Sequence, residues 1–536
     1  MGKHMRRISF VLASLLACWP AGPASAQALP NISSMQVRYN SLKTAAKAEG
    51  EIKAQLDDVD KLIAEARRSG NASEMRRQLA RGLTVLNKDA WTPQTDFRNS
   101  VVLRSERTVV DSSVPYALRL EQIYRPAIEL TPALTAKMTI RKRVPPARQG
   151  APAAGAPASA QSATAGGQAA ALQTSQDLGT FDGLSRDLRE SPYPLELDLS
   201  KVEDGAMVLQ AEIFDGATSL GTSSLGIFVN KGLDARLKSL EAAATTASAA
   251  VRDDILFPGD FIKNVNRGRI ELQDFDVTTE LSKAEAILAA SKNGKDPFKG
   301  RNGDFERHYL LPGANEIMPY RVYVPKGYVP SKATPLVIAL HGLGGNEDGF
   351  FDNYEKLPPQ LSEKHGFLLA APMGFRRDGF YGSGLMGGTD VASRRRSEYS
   401  EKDVLEVLRL MKAAYNVDES RIYLMGHSMG AIGTWALGAK YPQTWAALVS
   451  FSGTGAPALA DSMKNIPQFV VHGDADNTVN VSGSRNMVAA LKKLNANVTY
   501  LEVAGGSHTD VVVPNLELAF DFMASQHKST AISTKQ

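Results

Sequence analysis

Apolar residues recur at helical spacing from Asn31 to Leu86, through Met35, Tyr39, Leu42 and Ala46 and then Ile52, Leu56, Val59, Leu62 and Ile63. The spacing predicts two or three amphipathic helices, with Gly50, Gly70 and Gly82 as breaks. Past Trp91 the period shortens to two. Segments 100–110, 115–124 and 134–144 alternate apolar with polar residues, as strands of an antiparallel sheet do, and the pattern resumes at 193–199 and 206–214. Asp215-Gly216 then supplies a hairpin turn into a partner strand, 218–229. Helical character returns at 232–249 and 278–290, with Phe257-Pro-Gly-Asp260 between them.

From Gly303 onward strands and helices alternate. Pro319–Pro325 reads as a strand, and Pro335–Leu340 is a continuous apolar run of the kind found in parallel strands covered on both faces. Further buried strands are predicted at 367–371, 422–425, 446–451, 468–471 and 498–503, with helices at 349–365, 400–415, 429–440, 482–494 and 516–525. The economical solution is a doubly wound, mostly parallel α/β sheet with helices on both faces. The strand run ahead of it ends in a way that resembles the later strands of immunoglobulin-like sandwich modules. Between its strands, residues 145–173 are dominated by Ala, Gly, Pro, Ser and Gln without an apolar face, which reads as a long insertion or a linker.

Composition adds bounds. At 536 residues two or more domains are expected, and 43% hydrophobic with 22% charged residues is the balance of a water-soluble globular protein. A formal net charge of +4 gives no reason to expect a nucleic-acid partner, and Arg394-Arg395-Arg396 reads as a solvated loop or a local anion contact. Lys3, Arg6 and Arg7, an apolar run from Ile8 to Trp19, and Ala24-Ser25-Ala26 form the pattern of an export signal, with cleavage expected after Ala26. The run is too short to span a bilayer. Secretion or periplasmic residence follows, and Leu15-Leu16-Ala17-Cys18 offers lipid anchoring at Cys18 as the minor alternative. Expected domains are the signal at 1–26, a helical and sandwich-like region at 27–297, and a catalytic domain at 298–530.

Candidate chemistry gathers after the predicted parallel strands, where such sheets place their ligands. Gly426-His427-Ser428-Met429-Gly430 joins a strand to a helix, so Ser428 sits on a cramped turn that lifts its hydroxyl clear of the sheet. His341-Gly342-Leu343-Gly344-Gly345, His472-Gly473-Asp474-Ala475-Asp476 and Gly505-Gly506-Ser507-His508 follow three other strands. Serine, acid and histidine in this order differ from the trypsin-like and subtilisin-like arrangements. His508 can take the serine proton near neutral pH, an aspartate can hold its tautomer, and the N–H groups of Leu343 and Met429 can receive an oxyanion. The region ahead of residue 298 shows no metal-ligand cluster, phosphate loop or nucleotide fingerprint, and for the chain neither metal nor organic cofactor is expected.

These elements, with Tyr399–Val404 and Tyr415–Tyr423, make residues 305–526 resemble an α/β-hydrolase. More narrowly they resemble secreted feruloyl esterases, acetylxylan esterases and polyhydroxyalkanoate depolymerases, a group often labelled prolyl-oligopeptidase-like. The resemblance implies a serine esterase that forms an acyl-enzyme on a small or polymeric ester. It also implies that Asp476 is the acid, Asp474 being the rival, and that His341, His427 and His472 shape loops. Asp510 is then a cap or a partner behind the histidine, and Trp435 and Trp445 belong to the core. The glycine-, aromatic- and arginine-rich segment 375–396 reads as a cover over the site or as an exposed loop. A serine peptidase, or a surface-binding N-terminal module that carries a hydrolase, are the alternative readings.

Overall fold

The computed structural model describes residues 32–131, 134–143, 175–272, 275–291, 295–384 and 390–528. The expected export signal, Cys18 and the low-complexity stretch 145–173 lie outside them. Two compact units divide the chain, Met1–Leu233 with Asn264–Asp274 and Asp234–Lys263 with Phe275–Gln536.

The first unit opens with the helices Ile32–Ala46, Gly50–Arg68 and Ala72–Leu86, which bury Tyr39, Leu56, Val59, Ile63, Leu79 and Val85 together. Gly50 and Gly70 do separate helices. Gly82 does not, because it lies within the third helix and the Tyr39 ring occupies the space its side chain would need. A three-stranded sheet of β1 (Val101–Arg104), β3 (Tyr116–Gln122) and β6 (Tyr193–Leu197) shares one apolar core with a five-stranded sheet. The latter runs in the order β2 (Val109–Asp111), β8 (Thr218–Asn230), β7 (Gly205–Asp215), β4 (Leu134–Lys142), β5 (Gln176–Leu184). Alternation makes β4 and β7 easy to read. β5 escapes the pattern because it is an edge strand, mostly exposed and broken by Gly179 and Gly183, with no apolar face to announce it.

The second unit carries an eight-stranded sheet. Its strands are β9 (Gly303–Leu311), β10 (Glu316–Val324), β11 (Thr334–Leu340), β12 (Leu368–Pro372), β13 (Val417–His427), β14 (Ala447–Phe451), β15 (Gln468–Gly473) and β16 (Val498–Val503). The order is β16-β15-β14-β13-β11-β12-β10-β9; β9, β10 and β12 pair antiparallel, and all the other pairs are parallel. Successive side chains of a strand point to opposite faces. Val337, Ala339, Met425, Val449 and Val471 accordingly join a core with Leu361, Leu516 and Phe520 from the helices Leu357–His365 and Leu516–Ala524. Leu448 points the other way and meets the helix Met429–Lys440 at Gly438. This is the expected α/β-hydrolase layering. The helix Arg252–Asn266 replaces the expected interruption at Phe257–Asp260. Its internal Pro258 is carried by the buried side chains of Ile255, Phe257 and Ile262.

The chain passes from β11 to β12 on one side and from β13 to β14 on the other, so a crevice opens beyond the carboxyl ends of β11 and β13. Strand ends crowd there. A Cβ on Gly473, at the end of β15, would enter the carbonyl of Gly506 beyond β16. Gly473→Ala is therefore expected to destabilise the protein by about 2 kcal/mol, within the range for overpacked sites, read as a lower midpoint of chemical denaturation.

Candidate active site

Strand β13 delivers Ser428 into a backbone conformation that few side chains adopt, φ 57° and ψ −117°. Such a residue costs roughly 1–3 kcal/mol and persists only where its surroundings leave no alternative. Here the surroundings are close. A Cβ on Gly426 would overlap the backbone of Gly430, and one on Gly430 would overlap the carbonyl of Leu340 at the end of β11. The Ser428 N–H donates to the Phe451 carbonyl at 2.9 Å, and its carbonyl accepts from Ile432 at 3.1 Å, which starts the helix Met429–Lys440.

Three side chains from three loops meet at this turn. His508 Nε2 lies 2.9 Å from Ser428 Oγ, and His508 Nδ1 lies 2.7 Å from Asp476 Oδ2. The other oxygen of Asp476 accepts from the N–H groups of Thr478 and Val479 at 2.8 and 2.9 Å. Burial alone would raise this carboxyl. The hydrogen bonds from His508 and from the Val479 and Thr478 backbone outweigh it and hold Asp476 below its ordinary value. Asp474 is elsewhere, its Oδ1 accepting from the Gly505 N–H at 2.7 Å, and Asp510 accepts from the Ser507 N–H at 2.7 Å. Both therefore shape the loop that presents His508, and neither contacts the imidazole.

His341, His427 and His472 support loops. His427 Nε2 donates to the His508 carbonyl at 2.9 Å, and its Nδ1 accepts from the Tyr354 hydroxyl at 2.9 Å. Burial brings its pKa down to about 4, so near neutral pH the ring has one proton to give, to the His508 carbonyl. His472 reaches Asp476 Oδ2 at 3.1 Å and the Val479 carbonyl at 2.9 Å through Nε2. His341 places its ring nitrogens 2.7 Å from the carbonyls of Gly342 and Met373, and burial lowers its pKa. Trp435 and Trp445 are buried, with indole N–H groups donating to Gln468 Oε1 and the Leu437 carbonyl.

The glycine loop lies against the serine, since a Cβ on Gly342 would stand 3.4 Å from Ser428 Cβ. Within the loop the N–H of Gly344 donates to the Arg377 carbonyl at 2.8 Å, and that of Gly345 donates to the Gly342 carbonyl at 3.0 Å. The N–H groups of Leu343 and Met429 donate to no acceptor among the described residues. The Gly342 carbonyl faces the His341 ring and Gly345. In a trans peptide the N–H opposes the carbonyl, so the Leu343 N–H is turned away from that ring.

Segment 375–396 divides into two parts, with 385–389 outside the described residues. Its end is helical, because Asp390 caps the helix Val391–Ala414 by accepting from the Ser393 N–H, and Arg396 pairs with Asp378. Its start is packed. Tyr381 is fully buried and donates its hydroxyl to the His341 carbonyl at 3.2 Å. The buried Asp403 accepts from the Phe375 N–H at 2.7 Å and from the Tyr309 hydroxyl; burial raises this carboxyl to about 6 despite those hydrogen bonds. Tyr381 and Asp403 thus brace the glycine loop from behind. Asp403 carries a faint sequence signal, since it stands on the same helical face as the buried Tyr399 and Val407, where an acid needs a partner. Tyr381 carries none.

No helix among the described residues is long and apolar enough to cross a membrane. A family model described as phospholipase/carboxylesterase matches residues 397–526. A bifunctional acetylxylan esterase/xylanase of Neocallimastix patriciarum is 28% identical over 159 residues, covering 30% of this chain and 21% of that protein. Feruloyl esterase B of Neurospora crassa is 28% identical over 144 residues, covering 26% of this chain and 47% of that one. The chain therefore spans less than half the length of these relatives. Among solved structures, a thermostable esterase aligns with TM-score 0.36 and 17% identity over 80% of this chain and 100% of its own. A ferulic acid esterase of Anaeromyces mucronatus aligns with TM-score 0.35 and 17% identity over 43% and 93%. The second unit of the chain has the α/β-hydrolase fold and, over residues 397–526, is similar to the phospholipase/carboxylesterase family.

Proposed function

We propose that this protein is an exported serine carboxylic ester hydrolase, with Ser428 as nucleophile, His508 as base and Asp476 as the acid that orients it. The observation that carries the reading is the hydrogen-bonded chain from Ser428 Oγ through His508 to Asp476, at 2.9 and 2.7 Å. His508 Nε2 takes the hydroxyl proton as Oγ attacks the ester carbonyl. The N–H groups of Leu343 and Met429 receive the oxyanion, and the imidazolium returns its proton to the departing alcohol oxygen. Water then repeats the sequence on the acyl-enzyme, with His508 again as base, and releases the carboxylic acid. Asp476 stays ionised throughout, in keeping with its lowered pKa. Similarity to feruloyl and acetylxylan esterases supports feruloyl or acetyl esters as the substrate class. The charged leader and its small-residue cleavage site support export.

Ser428→Ala should abolish hydrolysis of p-nitrophenyl acetate and methyl ferulate by at least about 10³-fold, with circular dichroism unchanged; retained turnover would remove Ser428 as nucleophile. Asp476→Asn should lower kcat by about 10⁴-fold with little change in KM, because the amide stabilises the wrong imidazole tautomer. Assaying both esters and acetylated xylan on the wild type would decide between feruloyl and acetyl preference.

His427 adds a pH dependence. Its folded pKa of about 4 lies below the ordinary histidine value of 6.5, so between these limits the unfolded chain binds more protons than the folded one. Stability is then complete above about 6.5 and falls as pH drops toward 4, by up to about 3 kcal/mol for this group alone. The expected result is a Tm that declines between pH 7 and 4.5, and a shallower decline in His427→Gln. An equal slope in both proteins would sink the assignment.

A further inference from the structure

Away from Ser428, strand β9 and the helix Val277–Ser291 bring Glu280, Glu306 and His308 together, with ligand-capable atoms within 4.8 Å of one another. Glu306 and His308 are two residues apart on the strand and share one of its faces. The His308 side chain is 5% exposed and firmly held. Its ring stacks on Phe257 at 3.9 Å, its backbone N–H donates to Asp254 Oδ1 at 2.8 Å, and its Nδ1 lies 3.2 Å from that same oxygen. The Asp254 carboxylate at Nδ1 fixes the ring and turns Nε2 toward Glu306. That Nε2 is buried, has no hydrogen-bond partner, and stands 3.7 Å from Glu306 Oε1.

We propose that Glu280, Glu306 and His308 form a binding site for a divalent transition-metal cation, Zn²⁺ being the best match. One imidazole with two carboxylates is a donor set that zinc accepts, and the Asp254 carboxylate behind His308 is the arrangement that commonly orients a ligating histidine. Lys283 now bridges the carboxylates, its Nζ 2.7 Å from Glu280 Oε1 and 3.2 Å from Glu306 Oε2. Its side chain is 50% exposed, so the ammonium can swing into water when a doubly charged ion takes its place. Glu347 is buried near this cluster with its Oε2 unpartnered, and burial raises its carboxyl to about 8. It also belongs to the loop that follows β11, two residues beyond Gly345, so a cation here would bear on the segment that holds Leu343. No local spacing announces the site, because Glu280 and Glu306 come from separate elements far apart in the chain.

The test is calorimetric titration of ZnCl₂ into the full-length protein after chelator treatment, with Tm measured alongside. One zinc per chain is expected, with a Tm that rises with zinc concentration. Lys283→Ala should bind at least about tenfold more tightly, since the competing ammonium is gone. Glu280→Gln, which keeps the side chain's shape and one acceptor oxygen, should weaken binding in the Lys283→Ala background by about 10–100-fold. No binding to the Lys283→Ala protein, or binding indifferent to Glu280→Gln, would overturn the site.

Discussion

The backbone at Ser428 is the constraint on which the second unit's site depends. A serine at φ 57° and ψ −117° is held there by contact, because Gly426 meets the backbone of Gly430, and Gly430 meets the carbonyl of Leu340. Neither approach leaves room for a methyl group. The same compression joins the ends of β11 and β13, so the glycine loop after Leu340 lies against the serine whose hydroxyl it faces. Strain at one residue and proximity of two loops are thus one fact. The surrounding core, with β11, β12, β14 and β15 buried along their whole lengths, is what makes that strain affordable.

Around this point the loops hold one another. His427, adjacent to the serine, grips the carbonyl of His508; Asp474 grips the N–H of Gly505; Gly473 presses on Gly506. Each tie runs between loops that follow different strands, so none stabilises the site alone. On the other side Arg377 and Tyr381 hold the glycine loop, and Asp403 holds the segment that carries them. Buried polar groups satisfied in this way are costly to break singly, and they favour one arrangement of the site over its neighbours.

Much of this was legible in the residues because the period of a buried parallel strand and the glycine pairing of a tight turn are local properties. Pro335–Leu340, Ile422–Met425 and the turn at Ser428 need only their own side chains to be recognised. Other features depend on partners remote in sequence. Gly82 reads as a helix break until Tyr39 is seen against it, and β5 reads as loop until β4 supplies its hydrogen bonds. Asp474 and Asp476 stand two residues apart, and only the resemblance to a family favours Asp476 on paper. In the structure His508 lies beside Asp476 and the Gly505 N–H beside Asp474.

By itself the sequence determined the type of fold in the second unit, the place of Ser428 on its turn, and the set of histidines and aspartates that stand after strands. Those are consequences of spacing, which the chain carries at every length scale below a single element. Which carbonyl His427 holds, what braces the glycine loop, and that Glu280 lies beside Glu306 and His308 were decided by tertiary structure alone. The reason is that a hydrogen bond or an ion pair acts over about 3 Å, and only packing brings groups from separate elements that close.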